Sequence, residues 1–110
     1  MNASEPWSGP RERAVAIGVE HLSDEELLAI VLGTGCPGIP VTVLAALLVA
    51  EHGGVGGLAR AGIGELAQRA GVGTVKGARL AAAIELGRRA VDAASREAPR
   101  ALPRPPPWRT

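Results

Sequence analysis

Phenylalanine and tyrosine are absent from the 110-residue chain, and its two tryptophans, Trp7 and Trp108, stand near the ends. A core must therefore be assembled from Leu, Val, Ile and Ala, which suits closely approaching helices better than a fold centred on large rings. The lone cysteine, Cys36, excludes an internal disulfide and points to a reducing compartment; it reads as an incidental thiol in a Gly/Pro loop. His21 and His52 are the only histidines, thirty-one positions apart, and no His-x-His or paired-cysteine spacing exists, so no metal site is expected. No nucleophile–base pair can be named, which argues against an enzyme and against a cofactor. The N-terminus lacks the charged-then-apolar build of a signal peptide. The longest apolar run, Ile39 to Ala50, contains Pro40 and Thr42 and is too short to span a bilayer. The expectation is a soluble cytoplasmic protein with no membrane partner.

Charge of one sign is scarce in each half. Residues 1–59 hold two arginines against seven acidic residues, net −5, whereas residues 60–110 hold ten basic residues against four acidic ones, net +6. A basic half favours a polyanionic partner. The alternative, which does not exclude it, is that the two halves attract one another within the folded monomer.

Strands are not expected, because β-branched residues never alternate with polar ones over a useful length. The chain reads as all-α. Residues 1–9 are expected to be disordered. Pro10 suits the first turn of a helix through Ile17, stopped by Gly18. Ser23-Asp24-Glu25-Glu26 is a capping box that opens a helix through Leu32, ended by Gly33. Pro40 opens a third helix running to about His52. Gly53-Gly54-Val55-Gly56-Gly57 is expected to break the chain, leaving Leu58 to Ala61 as a short helical connection. A helix from Gly64 or Glu65 runs into Gly71, and a long one follows from Thr74 to about Ala94, with Val75, Leu80, Ala83, Ile84, Gly87 and Val91 roughly on one face. From Ser95 onward, prolines predict an extended tail or linker over 95–110.

The most informative stretch is Gly71-Val72-Gly73-Thr74-Val75-Lys76, with Arg79 a turn later. Two glycines flank an apolar residue between two helical segments, the residue pattern of a helix-hairpin-helix, which grips a nucleic-acid phosphate with backbone amides. The glycines admit backbone angles closed to other residues, and Val72 pins the hairpin to the core. Thr74 is expected to cap the second helix. The free amides and dipole at that helix start favour an anion, to which Lys76 and Arg79 add charge. Arg69, Arg88 and Arg89 add longer-range attraction. The competing reading, glycines that merely separate two helices, is outweighed slightly by Thr74, Lys76 and Arg79. Gly33-Thr34-Gly35 lies 38 residues earlier between two helices and forms a weak repeat. Two such hairpins make a paired domain of five to six helices over residues 10–94. The first hairpin is degenerate, since Thr34 replaces the apolar pin and Cys36-Pro37-Gly38-Ile39 lengthens the loop, so it should bind phosphate poorly.

Glu12-Arg13, Leu22 to Leu32, Gly33-Thr34-Gly35, His52-Gly53-Gly54, Leu58, Gly71 to Ala78 and Ala83 to Arg89 together resemble the N-terminal UPF0758 domain of RadC-like proteins. The resemblance covers about residues 10–90 and implies a helix-hairpin-helix fold similar to the second domain of RuvA. It implies a DNA partner through the family's DNA-repair association. It also implies a following JAB/MPN metalloprotease-like domain with a His-x-His zinc motif, and that motif is not in this sequence. The alternative function is thus a protein-interaction or regulatory module for such a catalytic partner, without DNA binding. The family pattern often has Pro where Thr74 stands and Ala where Gly77 stands; a glycine there weakens the helix by roughly 1 kcal/mol.

Overall fold

A computed structural model describes the backbone of residues 9–101 and the side chains of residues 9–97. Among the described residues every regular element is helical: α1 Pro10–Ile17, a 3-10 turn Val19–His21, α2 Asp24–Leu32, α3 Val41–Glu51, α4 Val55–Arg60, α5 Ile63–Gln68 and α6 Gly73–Ala101. The expected disorder of residues 1–8 and the tail beyond Ala101 lie outside the described residues.

Helix starts follow local chemistry. Pro10 opens α1, and Gly18 at φ +93° ends it. Ser23 and Glu26 form a reciprocal cap on α2. The Glu26 amide donates to Ser23 Oγ at 3.1 Å, and the Ser23 amide donates to Glu26 Oε1 at 3.0 Å. Arg13 reaches the same carboxylate, its Nε 2.6 Å from Glu26 Oε2, and so fastens α1 to the start of α2. Pro40 precedes α3, and His52 closes it with Nδ1 2.9 Å from the Leu48 carbonyl.

Two helix pairs, α2 with α3 and α5 with α6, meet through a contact of α2 with α6. Leu28, Ala29 and Leu32 of α2, Leu44, Ala45 and Leu48 of α3, Leu58, Leu66, Val72 and Leu80 fill the core between them. Leu32, Leu44, Leu48 and Leu66 are fully enclosed. Burial of each such side chain is worth about 2 kcal/mol, so four leucines do the work that rings do elsewhere.

Three expectations need correction. The glycine run does not break the chain throughout: Gly54 is the N-cap, and Gly56 and Gly57 lie inside α4. Packing overrides propensity here. A Cβ on Gly57 would collide with the His52 carbonyl, so only glycine lets α4 start against the end of α3, with Leu58 anchored in the core. Next, α6 does not stop near Ala94 but continues to Ala101. Ser95 to Ala98 carry no obstacle to a helix, the Arg96–Asp92 pair at 2.9 Å supports the turn, and Pro99 removes a single ladder donor close to the end. Finally, the buried face of α6 is Gly77, Leu80 and, partly, Ile84; Val75 and Val91 are 68% and 71% exposed. Val75 sits about 140° around the helix from Leu80 at ~100° per residue, and Val91 lies beyond the body it would have packed on.

Candidate nucleic-acid interface

Between α5 and α6 the chain turns through Arg69 to Val72. Gly71 has φ +90° and Gly73 φ +72°, the left-handed region that side chains resist. Val72, 4% exposed, inserts into the core cluster and its amide donates to the Arg69 carbonyl at 3.0 Å. The pin is where the sequence placed it. A Cβ on Gly71 would lie 3.1 Å from Cys36 Sγ and 3.4 Å from Leu44 Cδ1, so the inner glycine is needed for close approach to the first loop. Gly73 is different: nothing stands within 4 Å of its missing Cβ, and Gly73, Thr74 and Val75 are all exposed.

The helix opens at Gly73 rather than Thr74, which places Thr74 inside the first turn and not at the cap expected for it. The amides of Gly73, Thr74 and Val75 accordingly belong to the opening turn, where no preceding helical carbonyl exists to accept from them. With the positive end of a 29-residue helix behind them, these amides suit a single anionic oxygen cluster. Lys76, half-buried, follows directly and has no ion-pair partner among the described residues.

The surrounding cations are largely engaged. Arg69 forks onto Glu51, with Nε 2.9 Å from Oε1 and Nη2 on Oε2, and its Nη1 donates to the Ala70 carbonyl. This contact joins the basic and acidic halves of the chain, holds Glu51 below the usual carboxylate range and raises the Arg69 guanidinium further. Arg79 Nη1 donates to the Leu32 carbonyl at 3.1 Å, so one of its donors is engaged within the fold. Arg88 and Arg89 both contact Glu85, at 2.8 and 2.9 Å, and depress its carboxyl, Arg89 most strongly. The sequence carried no signal for the Arg69–Glu51 or Arg79–Leu32 partnerships, which span 18 and 47 residues.

The first glycine turn is braced by its own backbone. Gly33 donates to Ala29, and Cys36 and Ile39 exchange backbone hydrogen bonds at 3.0 and 2.8 Å around Pro37-Gly38. Gly38 at φ +82° after proline is the arrangement a type II turn demands. A Cβ on Gly35 would strike the Ile39 carbonyl, and Arg79 Nη1 would lie 2.7 Å from one on Gly33. Among the described residues, no group of three His, Cys, Asp or Glu side chains is placed to hold a metal ion. No helix is long and apolar enough to cross a membrane among the described residues.

Comparison with known proteins gives the chain its relatives. It is 51% identical over 88 residues to a UPF0758 protein of Roseiflexus castenholzii (strain DSM 13941 / HLO8), covering 80% of this chain and 38% of that one. A UPF0758 protein of Desulfitobacterium hafniense (strain DSM 10664 / DCB-2) is 49% identical over 82 residues, 74% of this chain and 36% of the relative. One of Marinobacter nauticus (strain ATCC 700491 / DSM 11845 / VT8) is 48% identical over 83 residues, 76% and 37% respectively. The matched stretch thus spans less than two fifths of each relative's length. No solved structure matches the chain. Residues 3–78, which include both glycine turns and the start of α6, match the UPF0758 N-terminal family, and the chain belongs to that family.

Proposed function

We propose that the chain is a weak, sequence-independent DNA-binding module of a RadC-like protein, a helix-hairpin-helix domain of the RuvA domain 2 kind that holds one phosphate at the Gly71-Val72-Gly73 turn. The observation that carries this reading is the open, positive-φ Gly73 at the start of α6, with Thr74 and Val75 exposed and Lys76 beside it without an ion-pair partner among the described residues. Phosphate contacts position a protein on nucleic acid without reading bases. One phosphate and one free lysine give a shallow salt dependence, with log K falling against log salt with a slope of about 1 to 2, since each neutralised phosphate contributes ~0.9. Titration of a random duplex at low and moderate salt, with Lys76→Glu alongside, tests the reading. Binding at low salt that is lost in Lys76→Glu is expected; absent binding, or binding indifferent to Lys76, overturns it.

A second reading is a protein-interaction or regulatory module of a longer, JAB/MPN metalloprotease-like protein. It is favoured by the length of the relatives, of which the matched stretch is 36–38%. On that reading, a defined protein co-purifies with the chain and survives nuclease treatment.

A further inference from the structure

Two arginines from distant parts of the chain meet at the first glycine turn. Arg79 of α6 lays its guanidinium beside Gly33. Its Nη1 donates to the Leu32 carbonyl at 3.1 Å and would lie 2.7 Å from a Cβ on Gly33, so glycine leaves the room it occupies. Arg11 of α1 lines a cavity of about 180 Å³ together with that same Gly33, Glu12, Ile30 and Val41. Arg11, Arg79, Gly33 and Thr34 are all exposed. Of the two arginines in the acidic half, Arg13 is held by Glu26, and Arg11 has no ion-pair partner among the described residues.

We propose that Arg11 and Arg79 hold a second phosphate of the polynucleotide backbone at Gly33, through side chains where the second turn uses amides. The proposal rests on the phosphate reading of the Gly71–Gly73 turn and extends it from one contact to two. Donor capacity is the first support. A guanidinium carries five N–H donors in a planar fork suited to phosphate, and the Leu32 carbonyl takes one of them while fixing the head of Arg79 in place.

Placement is the second support. Lys76 and Arg79 are i, i+3 neighbours on α6, so the cations continue from the Gly73 amides toward Gly33 along one face. Arg79 stands six residues beyond Gly73, about 9 Å along the helix at ~1.5 Å per residue. Phosphates of one strand advance ~3.4 Å per nucleotide along a duplex, so the two sites suit phosphates about three apart. The turns also abut, since a Cβ on Gly71 would lie 3.1 Å from Cys36 Sγ, and this contact fixes their spacing. Glu12 is the opposing charge in the cavity. Its carboxylate turns back toward Gly9 at the start of α1, where the helix dipole favours it, and it weakens the field of Arg11.

Titration of the full chain with a random duplex between about 50 and 200 mM salt tests the proposal. At ~0.9 per phosphate, affinity should fall about 12-fold over that range with two phosphates neutralised and about 3.5-fold with one. The parent is expected to show the larger fall. Arg11→Gln, at an exposed position outside the core, should move toward the smaller, and Arg11→Gln with Arg79→Gln should reach it. Glu12→Gln should bind more tightly than the parent. Arg96→Gln, an equal loss of charge on the exposed end of α6, should leave the salt dependence unchanged. A parent that shows only the smaller fall, a salt dependence unmoved by Arg11→Gln and the double variant, or one lowered equally by Arg96→Gln would overturn the second site while Lys76-dependent binding upholds the first. Absent binding by the parent at low salt would overturn the reading of the Gly71–Gly73 turn, and this proposal with it.

Discussion

The Arg79 guanidinium donates to the Leu32 carbonyl across 3.1 Å, joining the second turn of α6 to the last residue of α2. Leu32 ends its helix, so its carbonyl belongs to the negative end of the dipole and lacks a helical donor. The bond therefore does for α2 what a C-terminal cation of its own would do, from a residue 47 positions away. Arg79→Ala should lower stability by about 1 kcal/mol, less than the roughly 1.5–3 kcal/mol of a hydrogen bond to a charged group because Arg79 is exposed to solvent. Urea denaturation measures this. At low salt the same variant should lose less DNA affinity than Lys76→Ala; the reverse ranking would make Arg79 the stronger phosphate contact.

The outer glycine of the turn is needed for its backbone angle alone, since space around it is open. Gly73→Val places a β-branched side chain at φ +72° and should cost at least about 1 kcal/mol while abolishing duplex binding at low salt. Gly73→Asn, which tolerates that conformation, should retain most of both. Equal damage from the two substitutions would mean that the angle is not the requirement.

Gly77 is set by a different constraint. A Cβ there would lie 3.1 Å from the Ala67 Cα and amide nitrogen and 3.3 Å from its Cβ, so glycine permits the closest approach of α5 to α6. Alanine would regain about 1 kcal/mol of helix propensity and give back a similar amount in displacement of α5. Gly77→Ala should therefore lie within about 1 kcal/mol of the parent, whereas Gly77→Leu should lose more than about 2 kcal/mol and shift the melting curve accordingly. A tolerated leucine would show that the two helices are not held at this distance.

Acid should unfold the protein through its paired carboxylates. The Ser23 amide, then Arg13, hold Glu26 below its ordinary range; Arg69 does so for Glu51, and Arg89 with Arg88 for Glu85. Each group binds its proton more weakly folded than unfolded. Their contribution is thus complete above the ordinary glutamate value of about 4.3 and disappears as pH falls through the lower folded values. Melting temperature should stay level near neutrality and drop below that point. The double variant Glu26→Gln, Glu51→Gln should start lower and show a flatter acid limb; an unchanged limb would assign acid unfolding to other groups.

Much of the architecture is legible in residue order. The capping box at Ser23, Pro10 at the start of α1 and the buried Val72 between two positive-φ glycines are local signals, and local chemistry decides them. What was not legible depends on distant partners. Gly57 enters a helix because the His52 carbonyl occupies the space its side chain would take, and Gly77 is required by Ala67. Arg69 and Arg79 look like free cations in one dimension, and only folding brings Glu51 and the end of α2 to them. The candidate phosphate site was readable as a turn, whereas the contacts its neighbouring arginines make were not.

The long final helix has one further consequence. Because a single unbroken rod of about 43 Å, at ~1.5 Å per residue, begins at the Gly71–Gly73 bend and ends at Ala101, the two are rigidly indexed to each other. One residue added or removed between Leu86 and Glu97 would swing whatever is joined beyond Ala101 by about 100° around the axis while moving it only ~1.5 Å along it. Four residues would nearly restore the heading. Orientation relative to the bend is therefore encoded by residue count along this arm, largely independent of which side chains occupy it.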